Sequence, residues 1–235
     1  QDLDREIDFA DLLVQINEIE DLDRIRYMTP HPRDFNDKLI DTISNLDKVC
    51  EQFHLPVQAG SNKILKEMNR GYTREEYIEL VNKIRAKNPN AAISTDTIVG
   101  FPGETEEDFQ KTIELYKELR FDMAYMFNYS QRSGTPAAEK ENQIPEEVKK
   151  ERLQYLMDLQ SEIGAEKNKE LIGETVEVLV DGPSKKDPNK LAGRSRTHKI
   201  VIFEGDENLT GEIVNVMIKK AQSWTLFGEL VEKYE

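Results

Sequence analysis

Three runs rich in β-branched and aromatic residues, at 52–57, 92–99 and 123–129, are separated by longer stretches whose apolar residues recur at helical spacing. Few folds accept that order. Two parallel strands need a crossover of a dozen residues or more, and such crossovers are right-handed. Helices are expected at 8–19, with Phe9, Leu12, Leu13, Ile16 and Ile19 on one face, at 37–46, with Leu39, Ile40, Ile43 and Leu46, and at 62–69. Thr73 with Glu76 forms a capping-box pattern opening a helix to about residue 87, and the run Thr105 to Asp108 caps one to 119. A further strand is read at 24–29, stopped by the prolines of Thr29-Pro30-His31-Pro32. The repeats are too few for a closed eight-fold barrel, so the expectation is half of one. Ligands of such sheets gather at the carboxyl ends of the strands, which singles out the loops after Thr29, Val57, Val99 and Tyr129.

Residues 131–145 read as a polar connector, and 146–171 as a long amphipathic helix carrying Val148, Leu153, Leu156, Met157 and Ile163. From Gly173 the period changes to two. Strands are expected at 175–180, 199–203, 212–218 and 225–231, with turns at Asp181-Gly182-Pro183 and Gly205-Asp206. That pattern describes a small all-β barrel, OB-like in type. The expected division is therefore an α/β domain over 1–170 and a β domain over 171–235. Charge follows it: residues 171–235 hold nine Lys and Arg against eleven acids, and the first domain carries most of the net −14. The stretch 185–199 is locally basic, with six Lys or Arg and one acid, Asp187. Such density suits phosphate contacts, and equally a solvated loop.

One cysteine, Cys50, leaves no intramolecular disulfide and no cysteine-rich metal site, and suits a reduced, cytoplasmic protein. No apolar run is long enough to span a membrane. The opening Gln1-Asp2-Leu3-Asp4 has neither initiator Met nor signal region and reads as a piece of a longer protein, with a processed mature terminus as the alternative.

Three loops carry unusual residues. His54-Leu55-Pro56-Val57-Gln58-Ala59-Gly60-Ser61 ends one strand in a polar turn. Asp96 lies inside a strand of buried type, a costly place for an unpaired carboxylate, ahead of Gly100-Phe101-Pro102-Gly103. Tyr129-Ser130-Gln131-Arg132-Ser133-Gly134-Thr135-Pro136 follows the third strand. His31 and His54 lie near strand ends, where structural hydrogen bonding is the favoured role.

Together HLPVQAGSNKILKEMNRGYTREEY, STDTIVGFPGETEEDF and YSQRSGTPAA resemble the later half of the radical S-adenosylmethionine (SAM) methylthiotransferases. GETVEVLVDGPSKKDPNKLAGRSRTHKIVIF with SWTLFGEL is similar to their RNA-binding TRAM domain. The wording Tyr27-Met28-Thr29-Pro30-His31-Pro32 favours the MiaB type, which acts on tRNA, over the RimO type, which acts on a ribosomal protein. The resemblance implies a partial (β/α) radical SAM barrel followed by the TRAM barrel. It implies insertion of a methylthio group at C2 of N6-isopentenyladenosine beside the anticodon, with SAM, a sulfur donor and tRNA as partners. It places Gln58 and Asp96 on the ribose hydroxyls of SAM, Arg70 on its carboxylate, and Ile98 and Tyr129 by the adenine. Lys185, Arg194, Arg196, Lys199 and Trp224 would face RNA, with Trp224 in the barrel core as the alternative. Two 4Fe-4S clusters belong to the family, but their cysteine ligands are absent here, so no catalytic residue and no metal ligand is assigned. The chain alone is then expected to be inactive, and a noncatalytic RNA-binding module is the competing reading.

Overall fold

A computed structural model describes residues 7–28 and 31–231. Thr29 and Pro30, and with them the end of the strand expected at 24–29, lie outside the described residues. Strands β1 (Gln52–His54), β2 (Ala92–Val99) and β3 (Met123–Asn128) form a parallel sheet in that order. Helices α1 (Phe9–Asn17), α2 (Asp37–Asn45), α3 (Asn62–Glu67), α4 (Arg74–Lys87) and α5 (Glu106–Leu119) alternate with them. Thr73 and Thr105 cap α4 and α5 through reciprocal bonds with Glu76 and Asp108. Asp108 also accepts from Ser61 Oγ at 2.6 Å and Lys63 Nζ at 2.7 Å. Burial works to raise its pKa, yet these donors and Thr105 hold it well below the usual carboxylate range.

Alternation along β2 sorts the sheet. Ile93, Thr95, Thr97 and Val99 are buried, whereas Asp96 and Ile98 are half-exposed. Paired residues of a parallel ladder point the same way, so Tyr125 and Phe127, opposite Asp96 and Ile98, share that open face and are 46% and 53% exposed. Asp96 is therefore not the buried carboxylate expected; its side chain is 30% exposed. The segment 24–28 is not a strand. Ile25 alone bridges Val49, and Arg24 and Arg26 on either side reach out to the carbonyls of Arg194 and Ser195, each at 2.9 Å.

Helix α6 (Glu146–Lys169) packs along β3 and reaches the second domain. Its expected apolar face is only partly right: Leu156 and Ile163 are buried, but Met157 is 44% exposed. The rest of the buried stripe is polar, with Lys149, Arg152, Gln160 and Asn168. Each reaches a partner. Lys149 Nζ donates to Tyr129 O at 3.2 Å, Gln160 Nε2 to Phe121 O at 2.9 Å and Asn168 Nδ2 to Gln222 O at 2.8 Å. Arg152 Nη1 donates to Glu104 Oε2 at 2.8 Å, and that oxygen also accepts the Gly100 amide at 2.7 Å. The pair thus ties the Gly100–Gly103 loop to the helix.

Strands β4 (Thr175–Pro183), β5 (Leu191–Ser195), β6 (Ile200–Phe203), β7 (Ile213–Ala221) and β8 (Thr225–Leu230) close into a barrel in the order β4-β5-β6-β8-β7. Two expectations change. Residues 181–183 continue β4 through a bulge rather than turning, and 191–195, read as basic loop, is a strand. The barrel docks on the sheet's amino-terminal side. Arg196 forms a two-pronged bond to Glu51, with 2.9 and 2.7 Å contacts, and Lys199 Nζ donates to Asn168 Oδ1 at 2.7 Å. A Cβ at Gly164 would lie 2.8 Å from Ser223 O, so α6 and the β7–β8 turn meet at a distance only glycine permits. His198, in the same junction, has its pKa pushed down to about 4 by burial and then by Arg26 and Arg194.

Replacing Arg152 by Met should cost about 3–5 kcal/mol in urea unfolding, because Glu104 is left charged and buried. The double variant Glu104→Gln, Arg152→Met should recover most of the loss. His198 gives a pH signature. Its folded pKa lies below the ordinary 6.5, so its neutral form contributes fully above about pH 6.5 and that contribution is lost as the pH falls towards 4. The stability of His198→Asn should therefore fall less steeply than that of the parent between pH 6.5 and 4.5. Identical slopes would show that this imidazole does not report on folding.

Candidate functional site

The end of β1 is built by substitution for ordinary ladder bonds. Pro56 has no amide hydrogen, and Thr95 Oγ1 steps in, donating to Leu55 O at 2.8 Å and accepting from Val57 N at 3.0 Å. Between the pairs His54 with Ser94 and Gln58 with Thr97 the register slips by one residue. The extra residue is absorbed with Gln58 in the left-handed region, φ +71°. Its amide then donates to Asp96 O at 2.8 Å and its carbonyl accepts from Ile98 N at 2.9 Å. Gly60 follows because a Cβ there would lie 2.5 Å from Thr112 Cα on α5.

Gln58, Asp96 and Ile98 are thereby joined through their backbones. Arg70, just beyond α3, reaches the same place: its Nη2 lies 3.5 Å from Pro56 O, and its Nε donates to Tyr72 Oη at 3.2 Å. Tyr129 is held by its amide on Val99 O at 2.9 Å, and its ring packs edge-on against Phe101. Backbone bonds thus seat Gln58 beside Asp96 and Ile98 and Tyr129 beside Val99, and the Arg70 guanidinium comes near the segment ahead of Gln58.

Several features suit such a ligand. Arg70 has no carboxylate partner among the described residues, the Asp96 carboxylate is partly open, and the buried Tyr129 hydroxyl lacks a hydrogen-bond partner. An iron–sulfur cluster does not fit. Cys50 is buried, burial pushes its thiol up, and no metal-ligating group of three or more His, Cys, Asp or Glu occurs among the described residues.

A cleft of about 520 Å³ opens on the sheet's inner face towards the barrel. Asp96 lines it, whereas Gln58, Arg70, Ile98 and Tyr129 do not. His54 also lines it, with Nδ1 3.0 Å from Ser94 Oγ and Nε2 3.4 Å from Asp96 Oδ1. The imidazole thus bonds Ser94 and stands beside a candidate ligand-binding carboxylate. Its period-two match to Ser94 and Asp96 was the available signal. Tyr72 and Tyr125 were missed altogether.

The residues expected to face RNA do not form one surface. Arg196 and Lys199, expected on RNA, are instead bound into the domain junction by Glu51, Asn168 and Asp122. Arg194 stands beside them, 3.4 Å from Asp181 and 3.2 Å from His198 Nε2. Trp224 is 43% exposed, not barrel core. It precedes Thr225, which pairs with Ile200 at the junction end, while the exposed Lys185 follows Pro183 at the opposite end of the barrel.

The radical SAM superfamily matches over residues 3–116 and the TRAM domain over 169–231. The chain is 56% identical over 232 residues to the tRNA-2-methylthio-N(6)-dimethylallyladenosine synthase of Thermoanaerobacter pseudethanolicus, covering 99% of this chain and 49% of that protein. Synthases of the same name from Moorella thermoacetica and Natranaerobius thermophilus are 56% and 53% identical over 99% of the chain, which covers 52% and 51% of them. The chain spans about half the length of these curated relatives. Among solved structures, the radical SAM enzyme coproporphyrinogen III oxidase of Escherichia coli aligns with a TM-score of 0.49 at 16% identity, over 81% of this chain and 45% of that one. No helix among the described residues is long and apolar enough to cross a membrane. The chain belongs to the radical SAM superfamily and carries a TRAM domain behind its radical SAM segment.

Proposed function

We propose that this chain is the later part of an enzyme that places a methylthio group on C2 of an N6-isopentenylated adenosine in tRNA. The proposal is supported by the backbone pairing of Gln58 with Asp96 and the Arg70 guanidinium near Pro56, in a chain that matches synthases of that name along nearly all its length. In this reading the Asp96 carboxylate accepts from ribose hydroxyls and the side-chain amide of Gln58 bonds them as well. Arg70 pairs with the methionyl carboxylate in the two-pronged manner that a guanidinium allows. Ile98 and Tyr129 border the adenine. SAM, when bound, supplies methyl-transfer and radical chemistry, and the residues of this chain hold and orient it away from water.

Cys50 gives this chain no ligand set for a cluster, so the thiolates of two 4Fe-4S clusters must come from outside these residues. That single thiol is also what favours the second reading, a noncatalytic RNA-binding module. On the RNA side Lys185 and Arg194 would follow phosphates and Trp224 would stack a base. A sulfur donor is the remaining partner, and the cytoplasm the proposed compartment.

The whole gene encoding this chain, introduced into a strain lacking the methylthio nucleoside, should restore it to tRNA, and Asp96→Asn should lower the yield at least tenfold. Nucleoside mass spectrometry reads both. No methylthio nucleoside with the unaltered gene would overturn the proposal, and a methylthio group on a ribosomal peptide instead would redirect it to the protein-modifying branch. Replacing Lys185 by Ala should reduce the salt slope of tRNA binding by about one.

A further inference from the structure

Tyr72 sits between two of the residues that the proposed function relies on. Its hydroxyl lies 2.9 Å from Pro56 O and 3.0 Å from Val57 O, the two residues ahead of Gln58. The same oxygen accepts from Arg70 Nε at 3.2 Å, and the Arg70 guanidinium lies 5.7 Å from the centre of the Tyr72 ring. On another side the ring meets His31 with centroids 5.4 Å apart and Tyr77 at 6.2 Å. Tyr72 is thus gripped by its neighbours, while Arg70 is held by little else.

The contrast with other arginines is informative. Arg24, Arg74, Arg152 and Arg196 each have a carboxylate within reach, and Arg85 is fixed by a 2.6 Å bond to Leu119 O. Arg70 is half-buried and has no carboxylate partner among the described residues, and the one carbonyl its guanidinium reaches among them, that of Pro56, is at the 3.5 Å limit. A guanidinium has five donors in a rigid fork. The Tyr72 bond uses Nε and leaves the Nη edge for an outside acceptor.

We propose that Tyr72 is a positioning residue: it locks the Nε side of Arg70 and sets the guanidinium's free edge at the angle that receives the carboxylate of SAM. This rests on the proposed function for the identity of the ligand. One hydroxyl serves both halves of the site, donating its proton to the Pro56–Val57 carbonyls beside Gln58 and accepting from Arg70. The ring adds a face on which the cation lies.

The test uses the 235-residue chain with two probes, S-adenosylhomocysteine, which has the carboxylate, and adenosine, which lacks it. Tyr72→Phe keeps the ring and removes the hydroxyl. It should weaken S-adenosylhomocysteine about tenfold by calorimetry, as expected for one lost charge-assisted bond, and leave adenosine within about twofold. The Nε–H of Arg70 should exchange slowly in the parent chain and fast in Tyr72→Phe, a readout that needs no ligand. Unchanged affinity for S-adenosylhomocysteine, equal losses for both probes, or an unchanged Arg70 resonance would overturn the positioning role alone. Failure of the parent chain to bind S-adenosylhomocysteine would overturn the cofactor reading and this inference with it.

Discussion

Backbone carbonyls at loop and strand ends must find donors when they are covered, and in this molecule one helix supplies many of them. From Lys149 to Asn168, α6 sends polar side chains inwards to the carbonyls of Tyr129, Phe121, Gln222 and Ser223, with Arg152 clamping Glu104 midway. Lys167 extends the series to Asp122 at 2.7 Å. Unmade, each such bond would leave a buried dipole or charge without compensation. The loop after β2, the start of β3 and the turn between β7 and β8 all take their places from this stripe. The helix therefore acts as a common reference for the parallel sheet and the barrel.

The candidate site is built by a different device. The segment after β1 has lost a regular ladder, through Pro56 and a one-residue slip, and its groups are satisfied instead by Thr95 and Tyr72. An irregular strand end of this kind frees Gln58 from the pleat while keeping its amide and carbonyl bonded to β2. Rigid support under a displaced side chain is what a binding position needs.

Much of the fold was legible because local signals agreed with the tertiary result. The capping pairs at Thr73 and Thr105, the β-branched run of β2 and the change of period after Gly173 each had a mechanism that the packing did not overrule. The buried side of α6 was not legible: Arg152, Gln160 and Asn168 read as solvent-facing residues, since only the positions of distant carbonyls make them interior. Strand β5 was hidden by Gly193 and Arg194, which lack strand propensity and are held by neighbours on both sides. The basic stretch 185–199 suggested one RNA face, whereas Arg196 and Lys199 answer acids and amides far away in sequence. In the site, the family resemblance picked out Gln58, Arg70 and Asp96 as candidates, but the hydroxyl between Arg70 and the segment ahead of Gln58 could be seen only in three dimensions.

The close approach at Gly164 bears on how such proteins can be recombined. The TRAM barrel is closed, and the sequence break just ahead of it offers an obvious cut. Yet Gly164 and Asn168 are shaped to the turn around Ser223, and Lys199 returns the grip from the other side. A barrel transplanted without α6 would leave its receptor surface behind. A chimaera joined upstream of Glu146 keeps that contact, and one joined after it must rebuild it.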